Sequence, residues 1–330
     1  MTLPATVFQG IQIGVEVTPG TAAPANKKLL SMSFKPSPQV ETKPFRAMGN
    51  KYASFASLNK EWASVNIEGV PTYNELLYAL VSLLHYNAPV QQGSTPAYKW
   101  TLTSNTSAAD EGRSFTIEQG DANSAWRAVG VRISGLTFGF NRSDVTLSGN
   151  GIGEAVETGI TMTASPTSLS PVPMLPPDMK VYMADTFADL ATAQPLTNSF
   201  AMEFSLTDKF GLAWAIGQDP QAVEGEPNAS GKITVATDTA GMALIAALRQ
   251  AETKWFKVEF VGPVISGSHN HKFTLIFPAQ IESVGDPNDY ENVYTVDFGL
   301  LPIHDATWGK SLQVEVVTDV GEILADGGSG

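Results

Sequence analysis

Residues suited to chemistry are few in this sequence, and they are scattered. His269-Asn270-His271 puts two imidazoles on alternate residues, a spacing from which one face of a strand can ligate a metal ion. No carboxylate follows at useful spacing, and the surrounding Gly/Ser-rich stretch reads as a solvated hairpin tip. His85 ends an apolar helical stretch, where an imidazole suits the C-terminal dipole, and His304 reads as a loop residue. Asp286-Pro287-Asn288-Asp289-Tyr290-Glu291 gathers the oxygen ligands that calcium takes. Pro287 and Tyr290 interrupt the spacing, however, and no glycine stands where an EF-hand loop needs one. A turn between strands accounts for it.

Glycine-rich stretches do not make a phosphate loop. Gly149-Asn150-Gly151-Ile152-Gly153 follows a strand but leads into no amphipathic helix. Gly309-Lys310-Ser311 matches the end of a P-loop, yet His304 stands where that loop needs its first glycine, and a strand pattern follows. Ser266-Gly267-Ser268 lacks the flanks of a nucleophile elbow. With no cysteine, disulfides, thiolate metal sites and cysteine nucleophiles are excluded. Phe138, Phe140 and Trp126 could stack on bases, but strand alternation makes them core or interface residues. No convergent catalytic set emerges, so neither an enzyme nor a cofactor is expected.

The elements that would position these residues are mostly strands. Leu30, Met32 and Phe34 alternate with polar or small residues, as do Val65 and Ile67 within Ser64 to Gly69. Thr72-Tyr73-Asn74-Glu75 then reads as a capping box, and Leu76, Leu77, Leu80, Leu83 and Leu84 form one apolar helical stripe. Strands resume at Ser114 to Glu118, Ala128 to Phe140 and Asp144 to Ser148.

A second pass repeats the order. Phe200, Met202 and Phe204 alternate; Ile233 and Val235 match Val65 and Ile67; Leu244, Ile245 and Leu248 match Leu76, Leu77 and Leu80. Trp255 to Val261, Lys272 to Ile281, Tyr290 to Gly299 and Leu312 to Val317 supply later strands. Between the two passes lies a proline-rich stretch, residues 164–177, expected to run extended as a semi-rigid linker. The expected fold is therefore mainly β (α+β), with two tandem sandwich or barrel units and one helix packed on each. Residues 1–163 form the first unit and 178–320 the second, followed by a flexible tail at 321–330.

The 330 residues carry a net charge of −13. All of the excess lies in residues 166–330; residues 1–165 are balanced. This argues against tight nucleic-acid binding, which needs a basic footprint. No signal peptide is visible in Met1 to Gly14, and the Leu76 to Leu84 stretch is far short of the ~20 residues that span a bilayer. A soluble protein made in the cytoplasm is expected.

Gly14-Val15-Glu16-Val17-Thr18-Pro19-Gly20-Thr21-Ala22 resembles the N-terminal signature of siphophage tail tube proteins. Val181-Tyr182-Met183-Ala184-Asp185, Ala188-Asp189-Leu190 and Ser199 to Leu206 resemble the opening of that family's second half. The resemblance implies a virion protein, assembled in the host cytoplasm, that polymerises into stacked rings around a DNA channel. Two units per chain would close a ring as a trimer with pseudo-sixfold symmetry. Implied partners are the chain itself, the tape measure protein, the tail terminator and baseplate proteins, and DNA in transit, with no membrane. The stretch Lys35 to Lys60 matches the family's extended loop between subunits or rings, expected to order only in the polymer. Its tip, with Met48, Gly49, Asn50, Lys51, Tyr52 and Ser54, is the candidate inter-ring contact. If Val293, Thr295 and Asp297 share one face, with Tyr294, Val296 and Phe298 buried, Asp297 faces the channel. Other ring-forming tail components, a terminator or baseplate protein, remain open, as does a β-sandwich adhesin or carbohydrate-binding protein.

Overall fold

Period-two alternation of apolar and polar side chains shapes most of this chain. The computed structural model describes residues 9–121 and 124–324. The first half contributes β1 (Gly10–Val15), β2 (Lys27–Leu29), β3 (Met32–Phe45) and β4 (Phe55–Gly69), then helix α1 (Glu75–Leu83). It continues with β5 (Val90–Gln91), β6 (Tyr98–Thr103), β7 (Phe115–Gly120), β8 (Ala125–Asn141), β9 (Val145–Gly153) and β10 (Ala155–Thr158). After β11 (Thr167–Ser168) come β12 (Met179–Ala184), β13 (Ser199–Thr207), β14 (Phe210–Ala213), β15 (Gln221–Glu224), β16 (Asn228–Ala236) and helix α2 (Thr239–Gln250). The last strands are β17 (Thr253–Ser266), β18 (His269–Val284), β19 (Asn288–Tyr290), β20 (Val293–Pro302) and β21 (Gln313–Thr318). The fold is mainly β.

One antiparallel run crosses both halves in the order β3-β4-β9-β8-β13-β16-β20-β18. The halves meet where β8 pairs with β13, from Leu136↔Leu206 to Asn141↔Ala201. The long strands β8 and β18 each continue into a second layer. There, the start of β8 pairs with β7 and β10, and β7 with β1. The start of β18 pairs with β17 and β21, β17 with β12, and β21 with β6. The core lies between the layers and is rich in rings that meet across them: Phe138 with Phe273, Phe140 with Phe260, and Phe204 with Phe277 at 4.8 Å.

Helix α1 is buried along its whole length, not only on the expected stripe. Half of the expected capping box forms, with Glu75 N–H donating to Thr72 Oγ1 at 3.2 Å. The Glu75 carboxylate does not turn back to close the box. It reaches the bend between β2 and β3 and accepts the N–H groups of Leu30, Ser31 and Met32 at 2.6–3.1 Å. This bend puts Leu29 in the core and turns Leu30 out, so the expected alternation holds only from Met32 onward.

The proline-rich stretch is extended but packed. Leu169 N–H donates to Lys28 O, Tyr73 N–H to Val172 O and Met174 N–H to Pro71 O, and the side chains of Leu169 and Met174 are buried. It is thus stitched to the first half instead of hanging free. The tail expected from 321 onward also begins packed. Val320 O accepts Trp100 Nε1–H at 2.8 Å and Ile323 is buried; residues 325–330 lie outside the described residues. Of the second helical motif, Leu244 is buried, while the Leu248 side chain lies outside the described set.

Replacing Glu75 with leucine leaves three backbone N–H groups without their acceptor. It should lower unfolding stability by at least about 2 kcal/mol in urea titrations, with Glu75→Gln costing less.

Candidate functional site

The two faces of the eight-strand run differ sharply. On one, Phe34, Val65, Ile67, Leu147, Phe138, Phe140, Met202, Phe204, Ile233, Val235, Val296 and Phe298 are all buried. On the other, the cross-strand partners run Ser37↔Ser64, Lys35↔Asn66, Asn66↔Asn150, Ser148↔Thr137, Thr137↔Ser205, Glu203↔Lys232 and Thr234↔Asp297. Strand pleating forces this separation, since successive side chains point to opposite faces. The second face is a broad polar surface of hydroxyls, amides and glycines. Charged residues on it include Lys35, Glu68, Glu203, Lys232, Asp297 and, at the β18 bulge, Glu282. Lys35 lies 3.9 Å from Glu68, and Thr137 and Ser205 share a 2.8 Å hydrogen bond.

Asp297 lies on this polar face. Its carboxylate meets Lys232 Nζ at 2.7 Å and accepts Thr234 Oγ1–H at 2.6 Å. Partial burial pushes its pKa up, but the hydrogen bonds from Lys232 and Thr234 and the lysine charge outweigh this and hold it below the ordinary carboxylate value. Asp297 is therefore an ionised, paired group. The expected neighbours are corrected in part: Val296 and Phe298 are buried, but Tyr294 is exposed and Thr295 is buried. There β19 pairs along the start of β20, with Asn288↔Thr295 in register, and Thr295 Oγ1–H donates to Asn288 O at 3.3 Å.

Residues 35–60, expected as a loop, are mostly strand. β3 and β4 pair from Met32↔Gly69 to Phe45↔Phe55, with one register shift near Glu41, so only 46–54 is a turn. The prolines fit because Pro36, Pro38 and Pro44 fall at positions whose nitrogens point away from β4, where no N–H is needed. The hairpin leaves the body of the sheet as an arm. It holds itself together by the Phe45–Phe55 stack at 5.1 Å, by Asn59 Nδ2–H to Glu41 at 2.8 Å and by Lys60 to Glu41 at 3.2 Å. Hydrogen bonds from Asn59 and Lys60 keep Glu41 below its ordinary pKa. Ser54 N–H donates to Phe45 O, Asn50 N–H to Ala47 O, and Gly49 takes a φ of +83° that favours glycine. Met48, Gly49, Asn50, Lys51, Tyr52 and Ser54 are all brought together, exposed, at this tip. At the base of the arm, Trp62 meets Trp214 edge-on at 6.0 Å.

Other residues singled out in the sequence are structural. Glu16 of the N-terminal signature is buried and accepts Gly20 N–H, Thr116 Oγ1–H and Gly130 N–H at 2.8–3.0 Å. Gly14 has no room for a Cβ, which would stand 2.1 Å from Pro24 O. His269 is at the β17–β18 hairpin tip, but His271 is not solvated. It is buried against Tyr73, and this burial lowers its pKa. The acidic stretch 286–291 is the turn-and-strand approach to β20, with Glu291 and Asn292 at positive φ. Among the described residues no group of three or more His, Asp or Glu side chains could hold a metal ion. Among them, too, no helix is long and apolar enough to cross a membrane. Asp297 was named from the sequence without its partners, Lys232 and Thr234, which meet it only across the β16–β20 ladder.

No protein-family model matches the chain, and no curated protein matches it either. Two pH effects follow from the geometry. Lys232→Met should raise the Asp297 pKa, read by NMR titration; in the unmodified protein the stability that Asp297 contributes is lost as pH falls through its depressed value. His271, whose folded pKa is also depressed, contributes stability that is full above its ordinary value of 6.5 and declines as pH falls below it. His271→Phe should flatten that part of the stability–pH curve.

Proposed function

We propose that this chain is a structural subunit of a phage tail tube, with two tandem units of one chain standing in for two subunits of a sixfold ring. The observation that carries the reading is a correspondence of strand pairings. β3-β4-β9-β8 of the first half is matched in order by β13-β16-β20-β18 of the second, along one continuous sheet. The second layer follows suit: β1-β7-β8-β10 is matched by β12-β17-β18-β21. Helices α1 and α2 follow β4 and β16 in turn.

Inside the chain, the last strand of the first set, β8, pairs with the first of the second, β13. The corresponding outer ends are β3 and the stretch of β18 after Gln280, and neither has a strand on its outer edge among the described residues. A head-to-tail neighbour brings these ends together, and repetition of such a heterologous contact closes a ring. Three chains supply six units. The polar face suits a channel wall: it presents short side chains and paired charges, with no lysine or arginine cluster to hold phosphate. In the assembled virion such a tube meets the tape measure protein in its lumen and terminator and baseplate proteins at its ends.

The β3 edge is poor in donors. Pro36 and Pro38 have no N–H, and the Met32 N–H is taken by Glu75. Phe34 and Val40 are left as outward donors between 32 and 40, so a ladder across this seam is interrupted.

One feature favours a second reading, a carbohydrate-binding sandwich: Phe187, Trp255 and Trp308 cluster around a surface hollow. Quenching or enhancement of tryptophan fluorescence on titration with oligosaccharides, abolished by Trp308→Ala, would support it. On the tube reading, negative-stain microscopy of purified protein shows hollow tubes or annuli, and the mass of isolated rings is three chains or a multiple. A monomer that persists at high concentration in every salt, without tubes, would overturn it.

A further inference from the structure

We propose that the β3–β4 arm of one copy seats on an acidic aromatic shelf in the second half of a neighbouring copy, a contact that rests on the head-to-tail arrangement above. The arm asks for such a partner. Between residues 42 and 58 it carries Lys43, Arg46 and Lys51 and no carboxylate, on a chain whose net charge is −13. Its Phe45–Phe55 stack, Met48 and Tyr52 are exposed.

The shelf has the complementary chemistry. Asp185, Phe187, Trp255, Asp305 and Trp308 line a hollow of ≈480 Å³, the three rings lying 5.0–5.3 Å apart. Phe187 is 41% exposed. Around it stand Asp185, Asp189, Glu252 and Asp305 against three cations, of which Lys257 already lies over the Tyr182 ring. Lys254 bridges Asp185 at 2.7 Å and Glu252 at 2.8 Å, and Lys310 lies over Trp308. The Asp185 side chain is 79% exposed, so it can take a second cation.

A contact of the same kind already exists within the chain. The β14–β15 arm leaves β13 as the long hairpin leaves β3, and it lies on the first half. There Lys209 is fully buried and bonds Asp110 and Ser104, Glu224 accepts the Asp110 N–H at 2.6 Å, and Ser134 holds both the N–H and the carbonyl of the buried Phe210. A cation of the arm thus pairs with a carboxylate of the adjoining half, and the arm's aromatic residue is held there through its backbone. Asp110 lies on the segment entering β7. Its counterpart β17 is entered by Glu252, on the shelf. The interrupted β3 edge adds a reason: where backbone bonds are few, side chains of the arm have to secure the seam.

The absence of cysteine makes a direct test clean. Thr42→Cys, Met48→Cys and Ser57→Cys on the arm are each mixed with Ala188→Cys on the shelf under mild oxidation. Disulfide-linked dimers joining arm to shelf are expected in at least one mixture. Adding Arg46→Glu and Lys51→Glu to the arm partner should cut their yield at least tenfold, and Asp185→Lys with Glu252→Lys in the shelf partner should restore it. No mixed dimer in any combination, or arm cysteines linking only to one another, overturns the proposal, even if the unmodified chain forms tubes. Mixed dimers from a chain that never forms rings or tubes would instead leave the arm contact standing and defeat the tube reading.

Discussion

The pairing of β8 with β13 is the contact on which the rest of this molecule depends. It turns two short sheets into one, and so fixes a single apolar face and a single polar face across both halves. Because a one-residue slip would send Phe204 and Met202 outward and Glu203 inward, the register at this joint is held by the core itself. The joint also sets the placement of the β14–β15 arm, whose buried lysine would be costly without Asp110 and Glu224 beside it.

A recurring device fixes the irregular backbone around the sheets. Glu16, Glu75 and Glu118 are buried carboxylates, each accepting at least one backbone N–H: Glu16 from Gly20 and Gly130, Glu75 from the β2–β3 bend, Glu118 from Thr163. A carboxylate with two oxygens can serve several donors at once, which suits chain segments that leave a ladder and would otherwise bury unpaired amides. The signature Gly14 to Ala22 is therefore intelligible as a folding knot. Its glutamate, its glycines and the turn at Thr18–Thr21 form one hydrogen-bonded unit with β7 and β8.

Much of the fold was legible in the sequence. The strand of Phe138 and Phe140 and the helix at Leu76 were foreseen within a few residues, and the strand of Val65 and Ile67 only over its last six. What escaped was determined by contacts between distant segments. The long strand pair of the arm was masked by its prolines, which read as loop markers unless the partner strand and its parity are known. His271 read as solvated because its cover, Tyr73, comes from the other half of the chain. The packing of the proline-rich stretch was hidden for the same reason: Pro71 and Tyr73, which it bonds, lie about a hundred residues away. Of the candidate site, Asp297 was named on its strand parity, but Lys232 and Thr234, which keep it charged, are neighbours only across a ladder.

The prolines of β3 have a consequence for the life of the free chain. An exposed edge strand in a protein made at high concentration is a template for indiscriminate zipping into fibrils. Pro36, Pro38 and Pro44 present that edge with carbonyls but few amides, so a stray strand gains little by adding to it. A long β-rich arm is thus displayed without offering an unblocked edge to indiscriminate strand pairing.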